Sequence, residues 1–295
     1  MKIKNIFDEK EVVFSLEVFP PRPDVPIENI YQTLEELKDI DPDYISVTYG
    51  AGGGIRKNRT CELTSIIKEK YDVEALAHLT CINSDQDTLN KILARLEAKE
   101  IDNILALRGD KPVDGEPLGD YNYAYQLIEH IKKHNDFGVA AACYPEGHLE
   151  TESLDQDIEY LKQKVDYGVD YLISQMFFDN SLFYKFRSKA EKKGINVPIE
   201  AGIMPVINKK QVGRIIELSD AYFPEKFQKI LDKYEDNPEA LRDAGIAYAV
   251  EQIVDLISSE VDGIHLYTMN NPYVARRIKE AVGSLITHIN GKKVD

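Results

Sequence analysis

The stretch VVFSLEVF, residues 12–19, decides the fold. It is short, β-rich and almost wholly apolar, as a strand buried on both faces should be. Seven more runs of this kind follow, at Tyr44–Tyr49, Ala75–Cys81, Asn103–Arg108, Gly138–Tyr144, Tyr171–Phe178, Pro198–Pro205 and Gly263–Met269. Amphipathic stretches of helical period separate them, the pattern of βα units and a parallel sheet. Ile27–Asp39 begins just after Pro26, and Asp85–Lys99 carries a Ser-Asp cap signal. Glu152–Tyr167 ends before Gly168, and Ser181–Lys193 ends at Gly194, as helix C-termini tend to. Strand starts recur at about 30-residue spacing, the length of a βαβ step. Eight such units closing on themselves predict an α/β fold, a (β/α)8 TIM barrel.

One interval is longer. Asn208 to Asp262 has room for an ordinary helix and a second helical segment over Asn237–Ser259, with Tyr222–Phe227 and its Pro224 as the break. This predicts an extra helical segment before the last strand, an elaboration at about 221–262, inside one catalytic barrel domain spanning 1–295. An open doubly wound sheet would announce a GxGxxG turn after its first strand, and none is present.

The 36 Lys and Arg stand against 51 Asp and Glu, a formal charge of −15. Such a surface repels nucleic acid and anionic membranes, so neither is an expected partner; a polyanionic ligand needs a local basic pocket. MKIKNIFDEKEVVF at the N-terminus lacks a signal-peptide core, and no run approaches a membrane span. Cys61, Cys81 and Cys143 form no CxxC pair, which argues against a disulfide framework or a zinc cluster. The expectation is a cytoplasmic enzyme with reduced cysteines and no metal.

Barrel enzymes gather their chemistry at the C-terminal ends of the strands. Those ends read Glu17, Thr48, His78, Arg108 with Asp110, Tyr144, Gln175 and Tyr267. Alternation puts Glu17 on the side of Val13 and Ser15, opposite Phe14, Leu16 and Val18. It likewise pairs Arg108 and Asp110 with the face of Ala106, and His78 with Thr80. A carboxylate within VVFSLEVF is costly to bury unpaired, and burial favours its protonated form, which suits a general acid. No strand ends in a Schiff-base lysine, no HxH pair marks the first strand, and no GxSxG elbow occurs. One acid, one amide, an Arg-Gly-Asp turn and several aromatics lack an engine of their own. That constellation implies a cofactor.

With these residues in place, the sequence resembles the methylenetetrahydrofolate reductase family of flavoprotein barrels. FSLEVFPPR (14–22), ISVTYGAGGG with Arg59-Thr60, AHLTCI (77–82), LALRGDKP (105–112), AACYPEGH (141–148), ISQMFFD (173–179), GIMPV (202–206) and HLYTMN (265–270) follow in the family's order. The resemblance implies a non-covalent FAD that takes a hydride from NADH or NADPH and passes it to 5,10-methylenetetrahydrofolate. The family's general acid falls on Glu17, which would protonate the folate N10 and open the ring. Asp110 matches the acidic residue near flavin and pterin, where its charge would tune the flavin potential. Thr48, His78, Arg108, Gly109, Asp110, Tyr123, Ala124, Tyr144, His148, Asp157 and Lys164 match cofactor contacts. Gln175 and Tyr267 match substrate contacts.

Arg108 and Lys164 are the local cations that a diphosphate requires in so acidic a chain. Asp157 and Lys164, seven apart, lie near one face of the helix after the fifth strand. The glycine run Gly50–Gly54 would let backbone approach a ligand. Four positions depart from the family. Asn271 stands where many members carry a folate-associated arginine, with Arg276 and Arg277 about a turn later. Tyr160 and Gln163 replace flavin contacts, and Ile215 a phenylalanine. The family also implies a homo-oligomer. With no room for a regulatory domain before Asp295, control by S-adenosylmethionine at such a domain is not expected. Two alternatives stay open at this stage: a flavin-carrying barrel subunit fed electrons by a partner protein, and a barrel lyase or transferase without flavin.

Overall fold

The computed structural model describes residues 1–22, 24–49, 55–111, 119–208, 211–213, 215 and 221–293, with no side chains at 55–58. The run Gly50–Gly54 lies outside them. Eight parallel strands close in sequence order: β1 (Val13–Val18), β2 (Tyr44–Val47), β3 (Glu74–Thr80), β4 (Asn103–Leu107), β5 (Gly138–Cys143), β6 (Tyr171–Ser174), β7 (Ile199–Ile203) and β8 (Gly263–Tyr267). β8 pairs back onto β1 with Ser15 opposite His265 and Glu17 opposite Tyr267, which shuts the barrel. This is the (β/α)8 barrel that the strand pattern predicts.

Helices cover the outside. A 3-10 turn (Ile27–Ile30) leads into α2 (Tyr31–Lys38); α3 (Ile55–Tyr71), α4 (Gln86–Glu97), α5 (Ala124–His134), α6 (Leu154–Asp166) and α7 (Asn180–Lys192) follow successive strands. Their starts are set by side-chain caps. The Asp85 carboxylate accepts the Thr88 N–H at 2.7 Å, and the Ser153 hydroxyl accepts that of Gln156 at 3.3 Å. Residues such as Phe14, Leu16 and Val18 face these helices in the main core, while Val13 and Ser15 point inward. No helix among the described residues is long and apolar enough to cross a membrane.

Two features lie outside the sequence pattern. Helix α1 (Lys4–Glu9) plugs the N-terminal floor: Ile3, Ile6 and Phe7 pack on Val13, Tyr44, Leu76, Leu105 and Tyr171. The terminal ammonium pins it there, donating to Asp102 at 2.6 Å and Glu74 at 2.9 Å. Before β8, the stretch read as a break over Tyr222–Phe227 is in part helix. Pro224 caps α8 (Glu225–Tyr234), so its helix takes in Glu225 to Phe227, and α9 (Pro238–Ser258) follows from an Asn237 cap. Proline is tolerated before a helix, where its missing N–H goes unused. Helix α10 (Pro272–Gly291) follows β8.

Candidate active site

Glu17 sits one residue from the end of β1, its side chain 12% exposed at the C-terminal mouth. Its backbone is fixed from β8, since the Thr268 hydroxyl donates to the Glu17 carbonyl at 2.6 Å. Oε2 lies 3.5 Å from His78 Nε2 and 3.6 Å from His265 Nε2. The carboxylate is thus flanked by imidazoles on β3 and β8. Burial pulls the His78 pKa down to about 4 despite the nearby Glu17 charge, so its ring is neutral at pH 7. Its Nε2 is buried without a hydrogen-bond partner.

Just past β8, Met269 and Asn270 both adopt left-handed φ, at 52° and 55°. Non-glycine residues hold such angles only where other contacts enforce them. Here the Asn270 side chain supplies the contacts, accepting the Phe19 N–H and donating to the Phe19 carbonyl, both at 2.9 Å. The loop after Glu17 is thereby tied to β8.

Beside this centre lie two adjoining cavities. One, of about 460 Å³, is lined by seven of the expected cofactor residues: Arg108, Tyr123, Ala124, Tyr144, His148, Asp157 and Lys164. Tyr160 and Gln163 line it as well, so both departures fall on this wall. The second, of about 310 Å³, shares Arg108, Tyr144 and His148 and adds Asp110 and Gln175. Thr48 follows β2, where its carbonyl accepts the Thr60 hydroxyl at 2.9 Å. Glu17, Thr48, His78, Gly109 and Tyr267 line neither cavity.

Electrostatics distinguish these walls. Lys164 is half-buried; desolvation lowers its pKa, and its ammonium donates to the Ala142 carbonyl at 2.6 Å. Burial raises Asp157 while Lys164 pulls it down. Arg108 grips Glu150 with two hydrogen bonds, at 2.7 and 2.9 Å, and Lys111 reaches the same carboxylate at 2.9 Å. Those bonds take Glu150 down to about 2. Burial pushes Tyr144 up to about 12, and its ring meets His148 edge-on at 4.8 Å.

Alternation did not carry past β4. Ala106 faces the helices, but the strand stops at Leu107 and Gly109 takes φ +86°, so Arg108 turns to Glu150 and Asp110 is exposed. A Cβ at Gly109 would lie 2.9 Å from Thr80 Cβ. Gln175 accepts the Met176 N–H at 2.9 Å through its side-chain oxygen. The Tyr267 hydroxyl donates to the Ser174 carbonyl at 2.8 Å, next to Gln175. Asn271 caps α10 by accepting the Val274 N–H at 3.3 Å, and Arg276 is turned to the Glu36 carbonyl at 3.2 Å. Ile215 is buried in the cluster with Met176, Phe178 and Phe227.

Sequence reasoning missed His265, Glu200 and Glu150. Glu200 lies in PIEAGI, an apolar run interrupted by one carboxylate, the same signal that singled out Glu17. His265 was inside a quoted string without a role, and Glu150 follows no strand directly.

A closed βα barrel with ionisable groups and cavities at the C-terminal mouth has the arrangement of a barrel enzyme. The family model for methylenetetrahydrofolate reductase matches residues 2–283, and the chain belongs to that family. It is 34% identical to the 5,10-methylenetetrahydrofolate reductase of Escherichia coli (strain K12), covering 92% of this chain and 91% of that one. It is likewise 34% identical to Methylenetetrahydrofolate reductase (NADH) 1 of Arabidopsis thaliana, over 91% of this chain but 48% of that one. The chain thus spans about half the length of the plant and fission yeast relatives it matches. Among solved structures, a Clostridium thermocellum protein described as binding two copies of 5-methyl-5,6,7,8-tetrahydrofolic acid superposes with TM-score 0.65 at 14% identity. It covers 95% of this chain and 99% of that one, a likeness of fold.

Proposed function

We propose that the protein reduces 5,10-methylenetetrahydrofolate to 5-methyltetrahydrofolate, using non-covalent FAD and NADH or NADPH. The observation that carries this reading is Glu17, held between two histidines at the mouth of a barrel of this family. A bound flavin would supply the hydride acceptor and donor that no side chain here provides.

The donor set fits that group. Arg108 and Lys164 would hold the diphosphate, with Glu150 yielding the guanidinium it now occupies. Tyr123, Tyr125 and Tyr167, stacked at 5.9 and 5.6 Å between neighbours, offer aromatic surface beside the larger cavity. Gln175 and Tyr267 would orient the pterin; the Gln175 oxygen is already used, which leaves its NH₂ to donate. Glu17 would protonate the folate N10, and Asp110 would set the charge felt near the flavin. The same reading has the protein work in the cytoplasm as a homo-oligomer, without nucleic-acid or membrane partners.

The test separates the half-reactions. Glu17→Gln should leave flavin reduction by nicotinamide intact and slow folate reduction by about 10²-fold or more, the scale of a lost general acid. Equal loss in both would contradict the role. A flavin that neither nicotinamide reduces would favour electron supply from a partner protein.

A further inference from the structure

Glu200 has no part in the assignment above. It lies on β7 inside the barrel, fully buried. Its niche is shaped for it: a Cβ at Gly263 on β8 would come within 2.8 Å of Glu200 Cγ. The Tyr44 hydroxyl donates to Oε2, and the Ser15 hydroxyl donates to Oε1 at 2.9 Å. Ser15 Oγ is also 2.7 Å from His265 Nδ1. The far side of that ring, Nε2, stands 3.6 Å from Glu17 Oε2 and 3.4 Å from the Ser46 hydroxyl. A buried carboxyl is therefore linked through one hydroxyl and one imidazole to the carboxylate at the mouth.

We propose that Glu200, Ser15 and His265 form a proton relay that reloads Glu17 from beneath, with Glu200 as its store. This rests on Glu17 being the acid of the folate half-reaction. After Glu17 has given up its proton, the Ser15 hydroxyl turns its hydrogen from Glu200 Oε1 to His265 Nδ1, 2.7 Å away, and the Glu200 carboxyl proton passes to Ser15 Oγ. The Ser15 proton passes to His265 Nδ1, and the Nε2 proton passes to Glu17 Oε2. Three bonds to hydrogen break and three form, and no electrons are transferred. The imidazole ends in its other tautomer, and the negative charge has moved from Glu17 to Glu200. Between turnovers a solvent proton enters at Glu17 in the open mouth, and the same steps in reverse restore both the Glu200 store and the imidazole tautomer. The 3.6 Å step is the long link, and catalytic hydrogen bonds of this kind tighten when substrate closes the site.

The surroundings suit a store. Burial pushes the Glu200 carboxyl up to about 7, against the pull of His265 and the hydrogen bonds from Tyr44 and Ser15. It can therefore both hold and release a proton near neutrality. The groups acting on it from neighbouring strands and loops are Ser15, Asp43, Tyr44, Tyr171, His265 and Tyr267. His78 acts on the other end, beside Glu17. Glu200 touches neither cavity, so its action is through Glu17.

The test uses the holoenzyme and two variants, Glu200→Gln and Ser15→Ala. Infrared spectra across pH should show a protonated carboxyl titrating near neutrality in the parent and missing in Glu200→Gln. Repeated turnover with methylenetetrahydrofolate should fall about tenfold near neutrality in both variants, a modest acid–base contribution. Its inflection near pH 7 should vanish, while flavin reduction by nicotinamide stays unchanged. If Glu200→Gln does not fold, Ser15→Ala carries the kinetic test alone. A parental pH profile in the variants, or no carboxyl titrating near neutrality, overturns the relay. Glu17→Gln is run alongside. If it alone abolishes folate reduction, only the relay fails; if it leaves folate reduction intact, the assignment of Glu17 fails and the relay with it.

Discussion

Glu200→Gln keeps the side chain's shape and one of its two accepting oxygens, but it cannot ionise. In the fold, burial holds the Glu200 carboxyl at about 7, against its ordinary 4.5. That separation, 7 − 4.5 = 2.5 pH units, corresponds to about 3 kcal/mol at 1.36 kcal/mol per unit. Because the folded carboxyl keeps its proton longer than the unfolded one, its contribution is full below pH 4.5 and lost as pH rises through 7. His78 acts in the opposite sense. Its folded value is about 4 against 6.5, so its contribution is present above pH 6.5 and lost as pH falls toward 4. Between about pH 4.5 and 6.5 the two slopes cancel, and the parent is flat with respect to this pair. Glu200→Gln leaves the His78 slope standing alone. Urea unfolding should be measured on parent and variant at steps from about pH 4 to 8, with bound ligands matched. The stability difference, parent minus variant, should fall by about 3 kcal/mol between the two ends. A difference that is constant, or that rises with pH, would refute a buried protonated Glu200. A rising difference would mean that its carboxylate is ionised in the fold.

Two further outcomes follow from the packing and the charge pairs. Gly202→Ala would set a Cβ 2.2 Å from the Ser174 carbonyl and 2.9 Å from the Tyr267 ring. It should lower stability by about 1–3 kcal/mol and weaken folate binding more than flavin binding, read by thermal melts and ligand titrations. Glu150→Gln frees Arg108 and Lys111 from a half-exposed carboxylate that would compete with a diphosphate. FAD affinity should tighten by up to roughly fivefold, the worth of a solvent-screened pair, and a weaker affinity would show that Glu150 helps to build the site.

Much of the barrel was legible because strand starts follow local apolar runs: Tyr44, Asn103, Gly138, Tyr171 and Gly263 all begin strands as read. The ends were overextended, as at Phe178 and Met269, because pairing stops where the chain turns to present Gln175 and Thr268 at the mouth. Helix α1 was missed, since six residues carry too little period to register and the residues leading into it are held by distant Asp102 and Asn103. Glu17 was found because a carboxylate in an apolar strand stands out. Glu200 gave the same signal, but its meaning lies in Ser15 and His265, 185 and 65 positions away, which only closure of the barrel brings to it.

The central claim is most directly tested by one anaerobic experiment on the purified protein. FAD-loaded protein should be yellow, bleach with NADH or NADPH, and regain its colour on mixing with methylenetetrahydrofolate as 5-methyltetrahydrofolate appears in equal amount. A protein that cannot be loaded with FAD, or a reduced flavin that the folate does not reoxidise, would contradict it.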